Sequence, residues 1–184
     1  MKKNLIKLFQ LLSVLLILLF LFNCQEPSSE SSGGSGNDDN QTSSLVGQWL
    51  SSYDELFIVA SNETPPMFYS QYAGSTSYAG EIIEHDDYSG TSGYITILYT
   101  ENAYYPEVVG KYYRIYWKNL TLDSCNISGA YLYDSSLPPE ASDPSNPDYP
   151  DYIAQFSADT LDDAKNKFIV ENGAFLGGSD CNKQ

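Results

Sequence analysis

The chain has 184 residues and a formal net charge of -15 at pH 7, with 24 acidic against 9 basic side chains. Such a chain repels nucleic acids and anionic lipids, and it has no basic stripe beyond Lys111, Arg114 and Lys118, so nucleic acid is excluded as a partner. The 16 tyrosines favour strands, in which a ring packs while its hydroxyl stays wet.

The N-terminus has the pattern of an export signal. An apolar run over residues 8–22 follows three basic residues, Lys2, Lys3 and Lys7. No acidic residue occurs before Glu26. The run is shorter than the roughly 20 residues that a helix needs to cross a bilayer. It therefore predicts a signal peptide over residues 1–23, whose removal makes the mature chain still more acidic.

The end of this signal resembles the lipobox of bacterial lipoproteins, with Leu21 at the family's position and Cys24 as the cysteine. The match is atypical, because Phe22 and Asn23 stand where the family has small residues. The resemblance implies palmitate-type acylation of Cys24 and anchoring in the cell outer membrane or at the cell surface, because Gln25 is not the residue that retains lipoproteins in the inner membrane. The alternatives are an uncleaved signal anchor and a secretory signal that leaves Cys24 free.

The next segment predicts a tether followed by one domain. Residues 25–44 are almost all Ser, Gly, Asn, Asp, Glu or Gln, which is typical of a flexible coil. We therefore expect a lipidated, disordered tether over 24–44. The remaining residues, 45–184, have the size of a single domain with one core.

Short apolar or alternating segments recur through this domain at spacings of roughly ten residues, with turn residues between them. They predict strands over 45–50, 56–60, 67–72, 78–84, 93–99, 111–118 and 127–133. In the fifth of these, Ile95, Ile97 and Tyr99 share the face expected to point inward. The pattern favours an all-β fold, as an antiparallel meander barrel or a sandwich.

The segment 111–118 has the clearest alternation, with Tyr113, Ile115 and Trp117 on one face. Its other face carries Arg114 among polar and aromatic residues, and we expect that face to be solvated. The alternative is a surface for a ligand or a partner.

A proline-rich acidic stretch over 134–151 predicts a long loop, which is uncommon in compact domains unless it is functional or disordered. Thr160 and Asp163 then stand at capping-box spacing, and Leu161, Ala164 and Phe168 follow on one stripe. This pattern predicts one short helix near the C-terminus.

Two cysteines remain if Cys24 carries lipid. Outside the cytosol Cys125 and Cys181 are expected to form a disulfide, which would close a long loop and stabilise the fold by about 4 kcal/mol. Metal binding by this pair is the poorer alternative, since His85 is the sole histidine.

No catalytic pattern is present in the sequence, and we expect no enzyme, no cofactor and no metal. A catalytic triad or a Cys–His pair needs a base beside its nucleophile, whereas His85 is surrounded by Glu84, Asp86 and Asp87. This cluster is interpreted as an exposed turn, with a divalent-cation site as the alternative.

Gly47, Gln48 and Trp49 at the start of the first strand, together with the meander, the late helix and the expected disulfide, resemble a lipocalin-like barrel. The family's Thr-Asp-Tyr motif does not occur. The resemblance implies a barrel whose interior or rim could hold a ligand.

Two functions follow as hypotheses. The first is a lipid-anchored envelope or surface lipoprotein with a structural or protein-interaction role. The alternative is a lipocalin-like binding module for a small apolar or carbohydrate ligand, lined by Trp49, Tyr113 and Trp117. In both, the membrane is contacted through the N-terminal lipid.

The lipid claim predicts that radioactive palmitate labels the chain in bacterial cells and that Cys24→Ala abolishes the label, because the thiol is the acceptor. Cys125→Ala removes a cysteine outside the lipobox and should leave the label in place. Labelling that is equal in wild type and Cys24→Ala would end the claim.

Overall fold

The computed structural model describes residues 43–184, so the predicted signal peptide, the lipid site at Cys24 and the tether up to residue 42 lie outside the described residues. The described chain forms a closed barrel of eight antiparallel strands, each paired with the next. Strand β8 closes the barrel on β1, where Ser51 lies opposite Cys181. The predicted antiparallel barrel is confirmed, and the alternative of a sandwich is wrong. The strands are β1 Gly47–Ser51, β2 Glu55–Ala60, β3 Met67–Tyr72, β4 Ser75–His85, β5 Gly93–Asn102, β6 Tyr112–Lys118, β7 Ser124–Gly129 and β8 Ser179–Lys183.

The connection between β7 and β8 carries two α-helices, α1 over Tyr149–Ala154 and α2 over Leu161–Lys167. Short 3-10 helices lie at Pro139–Ser142 and Val170–Asn172 in the same connection, and a third follows β5 at Pro106–Val108. Helix α2 begins as predicted, because the Asp163 backbone N–H donates to Thr160 Oγ1 at 3.1 Å. The predicted long loop over 134–151 contains the 3-10 helix Pro139–Ser142, and α1 begins within its last three residues. Helix α1 forms because Ile153 and the adjoining Phe156 bury their side chains.

One end of the barrel is filled by side chains. Trp49 and Trp117 are fully buried there, together with Leu45 and Leu120. The Trp49 indole N–H donates to the Leu45 carbonyl at 2.7 Å, and the Trp117 indole N–H donates to the Gly90 carbonyl at 3.2 Å. We call this the closed end, and the loops 61–66, 86–92 and 119–123 lie at it. The described chain also enters the barrel here, at Leu45.

The outward face of β6 is covered by the chain itself, which corrects the expectation of a solvated face. Arg114 is buried, and its Nη1 donates to the carbonyls of Phe168 at 3.0 Å and Lys165 at 3.2 Å, at the C-terminal end of α2. Its guanidinium also lies 4.0 Å from the centroid of the Tyr94 ring. A cation is favourable at the negative end of a helix, so Arg114 fastens α2 to the barrel.

Two strands differ from the sequence prediction. The segment predicted over 127–133 pairs earlier, as Ser124–Gly129, and β8 was missed because its residues are mostly polar. The inward face of β2 carries Phe57 and Val59, whose side chains are buried.

Cys125 and Cys181 lie directly opposite each other on β7 and β8, and both are buried. The structure has both as free thiols, so the predicted disulfide is not formed in it. Interaction with Cys181, together with burial, raises the pKa of the Cys125 thiol above its usual value. The two cysteines are nevertheless cross-strand neighbours. Their oxidation to a disulfide, if the protein is exported, stays a prediction.

A thiol count tests this pairing. The mature protein, unfolded without a reductant, should expose no free thiol from this pair and should expose two after reduction. Two reactive thiols before reduction would contradict the pairing. Cys125→Ser should then expose a thiol at Cys181, which serves as the positive control.

Arg114→Met should lower the free energy of unfolding by about 1.5–3 kcal/mol, because two charge-assisted hydrogen bonds to the end of α2 are lost. Lys118→Met removes a cation from an exposed position of the same strand and should cost less than about 0.5 kcal/mol. Urea unfolding measures both. Equal effects of the two substitutions would show that Arg114 does not fasten α2.

Candidate functional site

A cavity of about 500 Å³ lies at the end of the barrel opposite the two tryptophans. It opens between the β1–β2 and β3–β4 turns, the loop after β5 and helix α1. Nine tyrosines and one phenylalanine line it, and we call it the tyrosine cup. The lining residues are Tyr53, Glu55, Tyr72, Ser77, Tyr78, Tyr99, Asn102, Tyr104, Tyr105, Tyr113, Gly129, Ala130, Tyr131, Tyr152 and Phe156.

The floor of the tyrosine cup is a cluster of three rings on β4, β5 and β6. Tyr99 and Tyr113 stack with centroids 5.1 Å apart, and Tyr78 meets Tyr113 edge to face at 5.6 Å. Burial raises the pKa of all three phenols well above the ordinary value, and the nearby Glu55 carboxylate adds to the shift for Tyr78 and Tyr113. These hydroxyls therefore stay protonated at neutral pH and can donate hydrogen bonds.

A glycine makes room for this cluster. A side chain added at Gly129 on β7 would collide with the hydroxyl of Tyr113. The absence of a Cβ at this position therefore lets the Tyr113 hydroxyl lie against the neighbouring strand β7.

Glu55 is the one ionisable carboxylate in the tyrosine cup. It begins β2 on the inward-facing parity of Phe57 and Val59, and its Oε1 accepts a hydrogen bond from the buried Ser70 hydroxyl at 2.5 Å. Within residues 43–184 the ion pairs are Lys111 with Asp159 and Lys165 with Glu84, so neither involves Glu55. The carboxylate therefore lies partly buried without a cationic partner from the described chain.

Helix α1 and the loop after β5 form one wall. The hydroxyls of Tyr105 and Tyr152 lie 2.9 Å apart, and the Tyr105 ring packs on Phe156 with centroids 4.9 Å apart. Burial, followed by the hydrogen bond with Tyr105, raises the pKa of Tyr152. The aromatic contacts that order α1 are thus the same contacts that build the wall.

Strand irregularities shape the mouth. The register of β3 against β4 shifts after Ser70, which leaves Ser77 as an extra residue, and the register of β4 against β5 shifts between Ala79 and Gly80. Bulges at barrel rims re-aim side chains. Here they place Ser77, Tyr78 and Asn102 on the cup.

The three residues predicted to line a ligand site do not come together. Tyr113 lies in the floor of the tyrosine cup, whereas Trp49 and Trp117 lie at the closed end with both indole N–H groups bonded to backbone carbonyls. Alternation along a strand indicates which face points inward but not the height along the barrel axis, which is why the tryptophans were included. Glu55 was missed, although its parity with Phe57 and Val59 is visible in the sequence.

The acidic turn around His85 is organised by its own contacts. The His85 ring stacks on Tyr88 at 4.0 Å, Asp86 accepts from the Tyr94 backbone N–H, and hydrogen bonds from Ser89 lower the pKa of Asp87. Within the described ranges no group of three His, Cys, Asp or Glu side chains is placed to hold a metal ion.

No helix among residues 43–184 has both the length and the apolar character needed to cross a membrane. Comparison of the chain with family models, with curated proteins and with solved structures finds no match. The functional argument therefore depends on the residues of the site.

Proposed function

We propose that this chain is an exported, lipid-anchored binding module that takes up a small ligand in the tyrosine cup. The observation that supports this most is an aromatic cavity of about 500 Å³ at an open barrel end. Small-molecule sites occupy about 300–1,000 Å³, are lined mainly by apolar and aromatic groups and carry a few convergent polar groups. The tyrosine cup has each of these properties.

The lining favours a ligand with a flat or apolar body. Tyrosine rings stack on aromatic rings and on the apolar faces of sugars, and their hydroxyls provide hydrogen bonds at the edges. Asn102 and Ser77 add an amide and a hydroxyl at the mouth. A small aromatic compound or a carbohydrate fits this combination.

The end at which the described chain enters the barrel supports a binding site that faces away from the membrane. The described chain begins at the closed end, where the Leu45 backbone N–H donates to the Tyr88 carbonyl, and the tyrosine cup opens at the other end. An anchor at Cys24 would thus connect to the barrel at the end away from the ligand.

A structural or protein-interaction role is the second candidate, and the rim of the cup supports it. Tyr53, Tyr72 and Tyr104 are 74%, 54% and 70% exposed. Exposed tyrosines are enriched at protein interfaces, where the ring is buried and the hydroxyl stays wet. A partner that covers the rim would use the same end of the barrel as a ligand.

Ligand binding predicts a saturation-transfer NMR signal from 2-phenylethanol or methyl β-glucoside with the mature protein in lipid nanodiscs. Ser77→Trp should abolish it, because an indole at this position fills the mouth of the cup. Thr76→Trp places the same bulk on the neighbouring residue, outside the lining, and should leave the signal unchanged.

Empty nanodiscs measure partition of the probes into lipid. If neither probe gives a signal above that background, or if Ser77→Trp and Thr76→Trp behave alike, small-ligand binding in the cup is rejected and the protein-interaction role becomes the better proposal.

A further inference from the structure

We infer that the tyrosine cup selects ligands that carry a cationic amine or ammonium group, and that Glu55 is the group that selects them. This inference rests on the proposed function, because it names the ligand class of the same cavity. It depends on one juxtaposition, a carboxylate without a cationic partner beneath a wall of tyrosine rings.

The ionisable side chains of the site include a carboxylate and no cation. Its lining contains Glu55 and no lysine, arginine or histidine. A carboxylate that is partly removed from water is costly unless it is paired or hydrogen-bonded. Ser70 is the one side chain of the described residues that donates to this carboxylate, and it does so to Oε1. Oε2 is left to accept from a ligand, and an ammonium group is the donor that also neutralises the charge.

The aromatic wall favours the same ligand. A cation within about 6 Å of a tyrosine centroid is attracted by the ring quadrupole, and the attraction grows as water is excluded. Tyr78, Tyr99 and Tyr113 surround the depth of the cup with centroids 5.1–6.0 Å apart. Glu55 lines the same cavity and lies near enough to Tyr78 and Tyr113 to raise the pKa of both phenols. A cationic head at Glu55 would therefore lie beside these rings, while an apolar body would contact the tyrosines nearer the mouth.

The net negative charge of the whole chain favours the same class of ligand. The chain carries a net charge of -15, so cations are concentrated at its surface and anions are repelled. A carboxylate ligand in the cup would face Glu55 directly. A neutral ligand would leave Glu55 unpaired, and it would gain only stacking and neutral hydrogen bonds.

Three probes of one shape test the inference on the mature wild-type protein in nanodiscs. Phenethylammonium, 2-phenylethanol and 3-phenylpropanoate share a phenyl ring and differ in the charge of the end group. Titration followed by ligand-observed NMR should give about tenfold tighter binding of the cation than of the alcohol, and no binding of the anion.

Glu55→Gln keeps the side-chain shape and an acceptor for Ser70 but removes the charge. It should reduce the preference for the cation over the alcohol to about twofold or less, while binding of the alcohol changes little. Glu101→Gln is the matched control, since it removes one charge from an exposed position of β5 outside the lining. It should leave the preference intact. Thermal unfolding of both variants establishes that they are folded.

The outcomes separate this inference from the proposed function. Equal binding of cation and alcohol by the wild type overturns the selection while the cup remains a ligand site. An unchanged preference in Glu55→Gln also overturns it, because the selection then comes from the overall field. Absence of binding by all three probes overturns both.

Discussion

The pairing of β8 with both β1 and β7 is the interaction on which the rest of the structure depends. Cys181 on β8 pairs with Ser51 of β1 on one side and with Cys125 of β7 on the other. Strand β8 thereby closes a seven-strand meander into a barrel. Closure removes the free edges that would otherwise pair with other chains, and it sets the width of the interior. The long connection between β7 and β8, which a short hairpin could replace, lies against the outside of β6. That connection supplies α1 to the cup wall and α2 to the face of β6.

The side chains inside the closed barrel change from apolar to polar along the barrel axis. On β2 the inward side chains change from Val59 through Phe57 to Glu55, from an apolar core to a charged group that lines the cup. The neighbouring strands show the same change, since Phe68 precedes Ser70 on β3. The residues that hold the domain together and the residues that form the site therefore lie at different heights on the same strands. The wall formed by α1 and the loop after β5 adds to these strand residues.

The sequence predicted what depends on local pattern. Alternation located most strands, and the spacing of Thr160 and Asp163 located the start of α2. It did not predict what depends on distant segments. Arg114 was expected to be solvated because the carbonyls of Lys165 and Phe168 that bury it lie some fifty residues later in the chain. Trp49 and Trp117 were expected beside a ligand because they face inward. Their positions along β1 and β6 place them at the closed end instead. Only the assembled barrel shows that Glu55 and Tyr113 line the same cavity.

An unpaired carboxylate in this cavity is a poor way to stabilise a barrel. An apolar side chain in place of Glu55 would extend the core formed by Phe57 and Val59, and a lysine from a neighbouring strand would neutralise the charge but would fill the cup. The arrangement leaves both the charge and the space available, and Ser70 holds one carboxylate oxygen in place at 2.5 Å. Under the proposed function, a small cation from solution would neutralise this charge and leave the cup empty again when it dissociates. The partly buried position of Glu55 beside the tyrosine rings would then serve recognition rather than stability.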